Sequence, residues 1–257
     1  MIRLLWLSLS LTWRERYPRN ILFLMDMLTS ALDVIFYFFT SEAFGKAFGS
    51  QNYFQYVIWG EIATALPVTF MLLPIRSLHS LLIEGSLDIM RTCPRHFWQI
   101  LLILNYGEIS RQLIRIIFIL LFAITLGFSI NPLLMLKAIS LIVISAPLFW
   151  SLGILATALF IFSGRGLSAF QQASHVLAVL AGVYFPLHVF PSFVENLTSW
   201  FSPMTWLLQS LRSDEIPTSS LILIIVTTPL FVILGLTLLA KSLNHLKRSG
   251  KRLLLSM

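Results

Sequence analysis

Six stretches of the chain are almost unbroken in apolar residues, roughly 21–39, 57–75, 99–128, 133–162, 170–185 and 219–240. Crossing about 30 Å of hydrocarbon as an α-helix takes about 20 such residues at 1.5 Å each. The runs are continuous and do not alternate, so spanning helices are predicted rather than the strands of a membrane barrel. The third and fourth runs exceed the hydrocarbon thickness, so they must tilt, break or project into water, and Pro147 is a kink site in the fourth. Residues 1–17 mix Leu and Trp with Arg3, Arg14 and Arg16, which predicts an amphipathic helix lying in the interface. Pro18 ends it before the first run.

Two connecting segments interrupt this pattern, one at about 76–98 and one at about 186–218. The first sets Leu78, Leu81, Leu82 and Ile89 against Glu84, Asp88 and Arg91. It predicts a short amphipathic helix broken at Gly85 and ended before Pro94; a solvated loop is the plainer alternative. The second carries Pro186, Pro191 and Pro203 among dense aromatics, which argues against a seventh span. Short helices dipping into the outer leaflet are expected there, with Trp200 and Trp206 at headgroup depth. The predicted class is therefore all-α: one polytopic membrane domain over 1–257, with six transmembrane helices, an interfacial helix at 1–17 and the two special segments.

Composition sharpens this picture. Of the 257 residues 57% are hydrophobic and only 11% charged, too few charges to cover a soluble domain. Fifteen of the eighteen Lys and Arg fall on one side if the chain starts inside, leaving Lys46, Lys137 and Arg212 on the other. By the positive-inside rule both termini are then cytoplasmic, and the net charge of +7 marks that face rather than a nucleic-acid surface. No small-residue cleavage site follows the first apolar stretch, so no cleaved signal peptide is expected. The lone Cys93 excludes an internal disulfide, and the scattered His79, His96, His175, His188 and His245 lack metal-ligand spacing. Asn196-Leu-Thr198 matches a glycosylation acceptor, a pattern common by chance.

Charges inside the runs need partners. Asp26 and Asp33 lie seven residues apart, on nearly one face of a helix. Each would cost about 2.5–3.5 kcal/mol against lipid. They line a polar path, take up protons, pair with Arg111 or Arg115, or meet a second chain. Glu61 has the same alternatives. Glu108, Arg111 and Arg115 share a helix face and suit a local ion-pair ladder.

The two connecting segments also carry a resemblance. Glu84-Gly85-Ser86-Leu87-Asp88, followed by Pro94, resembles the Glu-Gly-Thr-Leu-Glu run and later proline of the ABC-2 membrane-permease family of ATP-driven exporters. Gly182, Phe185, Pro186, Pro191, Pro203 and Arg212 are similar to that family's Gly-x-x-Phe-Pro…Pro…Pro…Arg pattern. The order of elements resembles the family over nearly the whole chain. Ser86 and Asp88 depart mildly from its Thr and Glu.

The resemblance implies that residues 78–94, with Leu81, Leu82, Glu84, Gly85, Ser86, Leu87, Asp88, Arg91 and Pro94, form a cytoplasmic coupling helix docking on a separate ATPase. It implies an external gate at Gly182, Tyr184, Phe185, Pro186, Pro191, Pro203 and Arg212. It implies a bacterial inner-membrane complex of two permease chains, alike or different, with two ATPase subunits that bind ATP and Mg. The chain itself lacks a phosphate-binding loop, since Ser249-Gly250-Lys251-Arg252 has neither the preceding Gly nor the following hydroxyl. It is therefore not expected to be an enzyme or to bind a cofactor.

The expected function is export of a lipid-like, amphipathic or hydrophobic drug-like cargo, with lipid-linked polysaccharide as the alternative. Two readings of other classes compete. A proton-coupled secondary transporter would use Asp26 and Asp33 but would show related halves. An intramembrane lipid-modifying enzyme would need its acids and histidines clustered at one depth.

Overall fold

A computed structural model describes residues 21–44, 53–83, 97–163, 167–213 and 218–249, together with positions 6, 10 and 85. Eight α-helices are formed among them: α1 (Ile21–Phe44), α2 (Tyr53–Ile83), α3 (Phe97–Thr125), α4 (Pro132–Ser163), α5 (Leu167–Leu180), α6 (Ser192–Phe201), α7 (Pro203–Arg212) and α8 (Thr218–Ser249). No strand occurs among the described residues.

Four segments are long and apolar enough to cross a membrane: Phe23–Ala43, Tyr53–Ile83, Pro132–Ser163 and Ser219–His245. The chain is thus a helical, multi-pass membrane protein by length and composition. α3 has 29 residues but carries Glu108, Arg111 and Arg115, and α5 has only 14. The predicted fifth run extends to Phe185; the helix instead stops at Leu180. Gly182 takes a φ of +88°, Gly182 N–H donates to Val179 O at 3.1 Å, and Val183 N–H donates to Ala178 O at 3.4 Å. That is a Schellman end, which needs a residue without a Cβ at the left-handed position.

The long helices alternate in direction between two packed layers of core. The layer near the start of α2 gathers Ile58, Trp59, Ile119, Leu141, Phe149 and Val183. The other layer gathers Ile75, Leu78, Leu81, Ile154, Phe160 and Leu239. α2 and α4 run down through both, and α8 descends from Ile224 to Leu239 beside them. α5 runs up from Leu167, packed on the second layer, to Ala181 in the first. Ile21, Ser249 and the Gly85 turn consequently share one end of the bundle, and α6 and α7 form a cap at the other.

α4 is apolar on every face, and it sits between α2 and α8. Its Gly153 lets the α2 backbone approach: a Cβ there would stand 2.7 Å from Met71 O and 2.8 Å from Phe70 O. Phe70 is four residues before Pro74, whose ring nitrogen has no proton to give that carbonyl. Pro74 therefore coincides with this close helix contact, and α2 runs on through both Pro74 and Pro67. α4 is likewise continuous through Pro147.

One expectation changes at the Gly85 end. Residues 76–83 are the last turns of α2, not a separate short helix. Leu78 and Leu81 are buried in the second core layer, which is what prolongs α2 beyond residue 75. Gly85, at φ +68°, ends that helix, its N–H donating to Leu82 O at 3.3 Å. Of the predicted interfacial helix at 1–17, only Trp6 and Ser10 fall within the described residues, both helical.

Candidate functional site

The cap is built by prolines acting as starters. Pro186 precedes the 3-10 turn Leu187–Val189, Pro191 sits at the N-cap of α6, and Pro203 opens α7. Each occupies a position where a missing N–H costs nothing and a fixed φ helps. Ser202 caps α7, its hydroxyl accepting from Thr205 N–H at 3.3 Å. The proline spacing read from the sequence is thus the punctuation of two short helices.

α6 is strongly amphipathic, leaving Phe193, Leu197, Trp200 and Phe201 exposed and burying Thr198. α7 packs inward. Trp200 is 70% exposed, whereas Trp206 is 4% exposed and donates Nε1–H to Ser199 O at 2.7 Å. Burial separates the two tryptophans that the sequence grouped together: Trp206 is a core residue, packed with Leu148 and Ile224.

Arg212 ends α7 and ties the cap to α2. Its Nη1 donates to Tyr56 Oη and to Gly182 O, both at 2.6 Å, and its Nη2 donates to Tyr56 O at 3.2 Å and Val183 O at 3.1 Å. The guanidinium carbon lies 3.5 Å from the Tyr56 ring centroid. Burial pulls Arg212 down to about 10, with Tyr56 opposing, so it stays a cation at neutral pH. Tyr56 Oη–H donates to Gly182 O at 3.0 Å and Tyr53 Oη–H to Tyr184 O at 2.8 Å. Gly60 makes this approach feasible, because a Cβ there would stand 2.8 Å from both Arg212 Nη2 and Val183 O. A cavity of about 470 Å³ opens beside the clasp, lined by Tyr56, Gln209, Arg212, Ser219 and Ser220 among others.

A polar ladder climbs between α1 and α3 toward the cap. Arg111 pairs with Asp26 at 3.0 Å and with Glu108 at 2.8 Å. Arg115 donates Nε–H to Ser30 Oγ at 2.8 Å and faces Asp33 at 3.7 Å. Above it Tyr37 Oη and Tyr184 Oη meet at 3.5 Å, and Tyr184 Oη–H reaches Glu61 Oε2 at 3.4 Å. On α1 the positions are 26, 30, 33 and 37, spaced four, three and four apart, which is one helix stripe.

Tyr184 therefore joins two groups that the sequence kept apart, the cap and the intramembrane acids. Gly182, Tyr184, Pro186 and Arg212 come together; Phe185 is exposed beside them, and Pro191 and Pro203 serve the cap's own helices. Asp26 and Asp33 each meet an arginine of α3. Sequence reasoning missed Tyr37, Tyr53, Tyr56 and Gly60. A signal existed in the Tyr53, Tyr56, Gly60 spacing, which places all three along one side of the start of α2.

Leu81, Leu82 and Gly85 lie at the far end, with Leu81 turned into the core and Leu82 half-buried against it. Glu84, Ser86, Leu87, Asp88, Arg91 and Pro94 lie outside the described residues. No family model matches this sequence, and no curated protein matches it.

Proposed function

We propose that this chain is the permease subunit of an ATP-driven exporter of the ABC-2 type, carrying a lipid-like or amphipathic cargo. The observation that carries the reading is the separation of its two motif-bearing regions. The Arg212 clasp and the Gly85 turn stand at opposite ends of one continuous helix, α2. A transporter worked by a motor on one side and gated on the other needs such a layout.

In this reading α3 and α5 complete six crossings, with the charges of α3 turned toward α1. The termini and the Gly85 turn face the cytoplasm of a bacterial cell, where the segment after Gly85 docks on an ATPase that binds ATP and Mg. α6 and α7 dip into the outer leaflet. ATP closes the two ATPase subunits, the movement passes along α2, and the cap opens a path between two permease copies. The side chains of Asp26 and Asp33 are 45% and 44% exposed in the single chain. Charges so exposed at membrane depth are costly against lipid, so the ladder faces the water of that path or the second permease copy.

The test is co-purification with an ATPase subunit. Gly85→Trp is expected to leave the chain inserted but to lose the ATPase and transport together. Normal transport by Gly85→Trp would overturn the coupling role. So would labelling of a cysteine at Gly85 from the same side of the membrane as one at Trp200.

A further inference from the structure

α3 and α4 follow one another in the chain, yet they make few direct contacts. Both lean on α2 instead. The space left between them is a groove of about 200 Å³, floored by Trp59 and Ile62 of α2 and walled by Ile116 and Ile117 of α3 and Ala138 and Ile139 of α4. It lies in the half of the bundle nearest the cap, since these residues fall within three turns of the start of α2 and α4. Every lining side chain is Trp, Leu, Ile, Met or Ala. The mouth opens sideways between Ile117, 56% exposed, and Ile139, 50% exposed. Its lips continue as exposed apolar stripes, Leu121 on α3 and Leu136 and Val143 on α4. The ion-pair ladder lies on the other flank of α3, toward α1.

We propose that this groove is a binding site for one acyl chain of a phospholipid from the cap-side leaflet. An acyl chain already in hydrocarbon gains nothing from leaving water, so shape alone must hold it. A groove gives dispersion contacts on three sides. A convex lipid-facing surface, such as Leu230 and Ile233 of α8, gives them on one. The volume lies below the roughly 300–1,000 Å³ of pockets for drug-sized ligands, and the wall offers no polar atom to orient a headgroup or a sugar. Water is not the occupant either, because apolar cavities of about 150 Å³ stay dry and take apolar guests. The site rests on membrane residence alone and stands whether or not the chain has an ATPase partner.

The experiment uses the full chain in phosphatidylcholine nanodiscs doped with a phosphatidylcholine bearing a diazirine on one acyl chain. After irradiation, adducts are mapped by peptide mass spectrometry. Adducts are expected to concentrate on Ile117 and Ile139 over Leu230 and Ile233. Ile139→Trp closes the mouth from a half-exposed position, and Ala138→Leu fills the wall. Both are expected to abolish the enrichment on α3 and α4, whereas Ile233→Trp leaves it intact. Ile139→Trp carries the test alone if Ala138→Leu does not fold. Equal labelling of α3, α4 and α8 overturns the site, as does enrichment that survives the filling variant. Disulfide formation between two copies carrying Ile139→Cys also overturns it, by putting a second chain over the mouth. A diazirine free fatty acid that labels the groove when the phospholipid does not overturns the assignment to phospholipid.

Discussion

Arg212 lies over the ring of Tyr56, 3.5 Å from its centroid, while one of its nitrogens donates to that ring's own hydroxyl. The same guanidinium holds Gly182 O and Val183 O, so one side chain joins α2, the end of α5 and the end of α7. Arg212→Lys replaces a planar fork by a point charge that cannot serve four acceptors at once. It is expected to lower stability by about 2–4 kcal/mol, nearly as much as Arg212→Ala, through loss of the forked hydrogen bonds to Val183 O and Tyr56, with Gly182 O keeping only the Tyr56 hydroxyl. Thermal unfolding in detergent measures this; a lysine variant as stable as wild type would contradict the clasp.

Two glycines set helix approach rather than backbone conformation. Gly60→Ala and Gly153→Ala each place a Cβ about 2.8 Å and 2.7 Å from fixed backbone oxygens. Each is expected to cost about 1–3 kcal/mol by overpacking. Gly85→Ala is the contrast, since nothing lies within 4 Å of its Cβ position and only its positive φ resists. Melting curves should rank it the mildest of the three.

Solvent access in the membrane is expected to separate the two flanks of α1. Asp33 lies on the ladder, whereas Leu28 and Leu32 are exposed on an apolar side. A charged, water-soluble thiol reagent is expected to label Asp33→Cys and to leave Leu32→Cys untouched in membranes. Equal labelling would mean that both flanks see water; no labelling of either would leave the ladder sealed against protein.

The tyrosines differ in what they hold. Tyr53→Phe removes a 2.8 Å bond to Tyr184 O and is expected to cost about 1 kcal/mol. Tyr184→Phe removes contacts of 3.4 and 3.5 Å, long enough that the loss should be smaller. The reverse order in denaturation would show that Tyr184 carries more of the junction than its distances indicate.

The helices were legible because continuous apolar runs leave a chain in lipid few alternatives. The Asp26 and Asp33 pairings were legible as one of several alternatives, since a charge at membrane depth must find a partner and Arg111 and Arg115 were in range. Sequence could not tell that α2 would continue past residue 75. Arg76 and Ser77 read as an interface, but Leu78 and Leu81 found a second layer of core to fill. Nor could it tell Trp206 from Trp200, because the turn at Ser202 decides which of them faces inward. The role of Gly60 depends on an arginine 152 positions later in the chain, a proximity that no local pattern encodes.

The 31 residues of α2 form a rod of about 45 Å with the arginine clasp at its head and Gly85 at its foot. If the close approach at Gly153 near mid-length acts as a fulcrum, such a rod would pivot rather than slide. A tilt of about 5° would swing each end by about 2 Å in opposite senses. That is enough to pull a carbonyl out of hydrogen-bond range, so a modest shove at the foot could unfasten the head without any helix having to unwind.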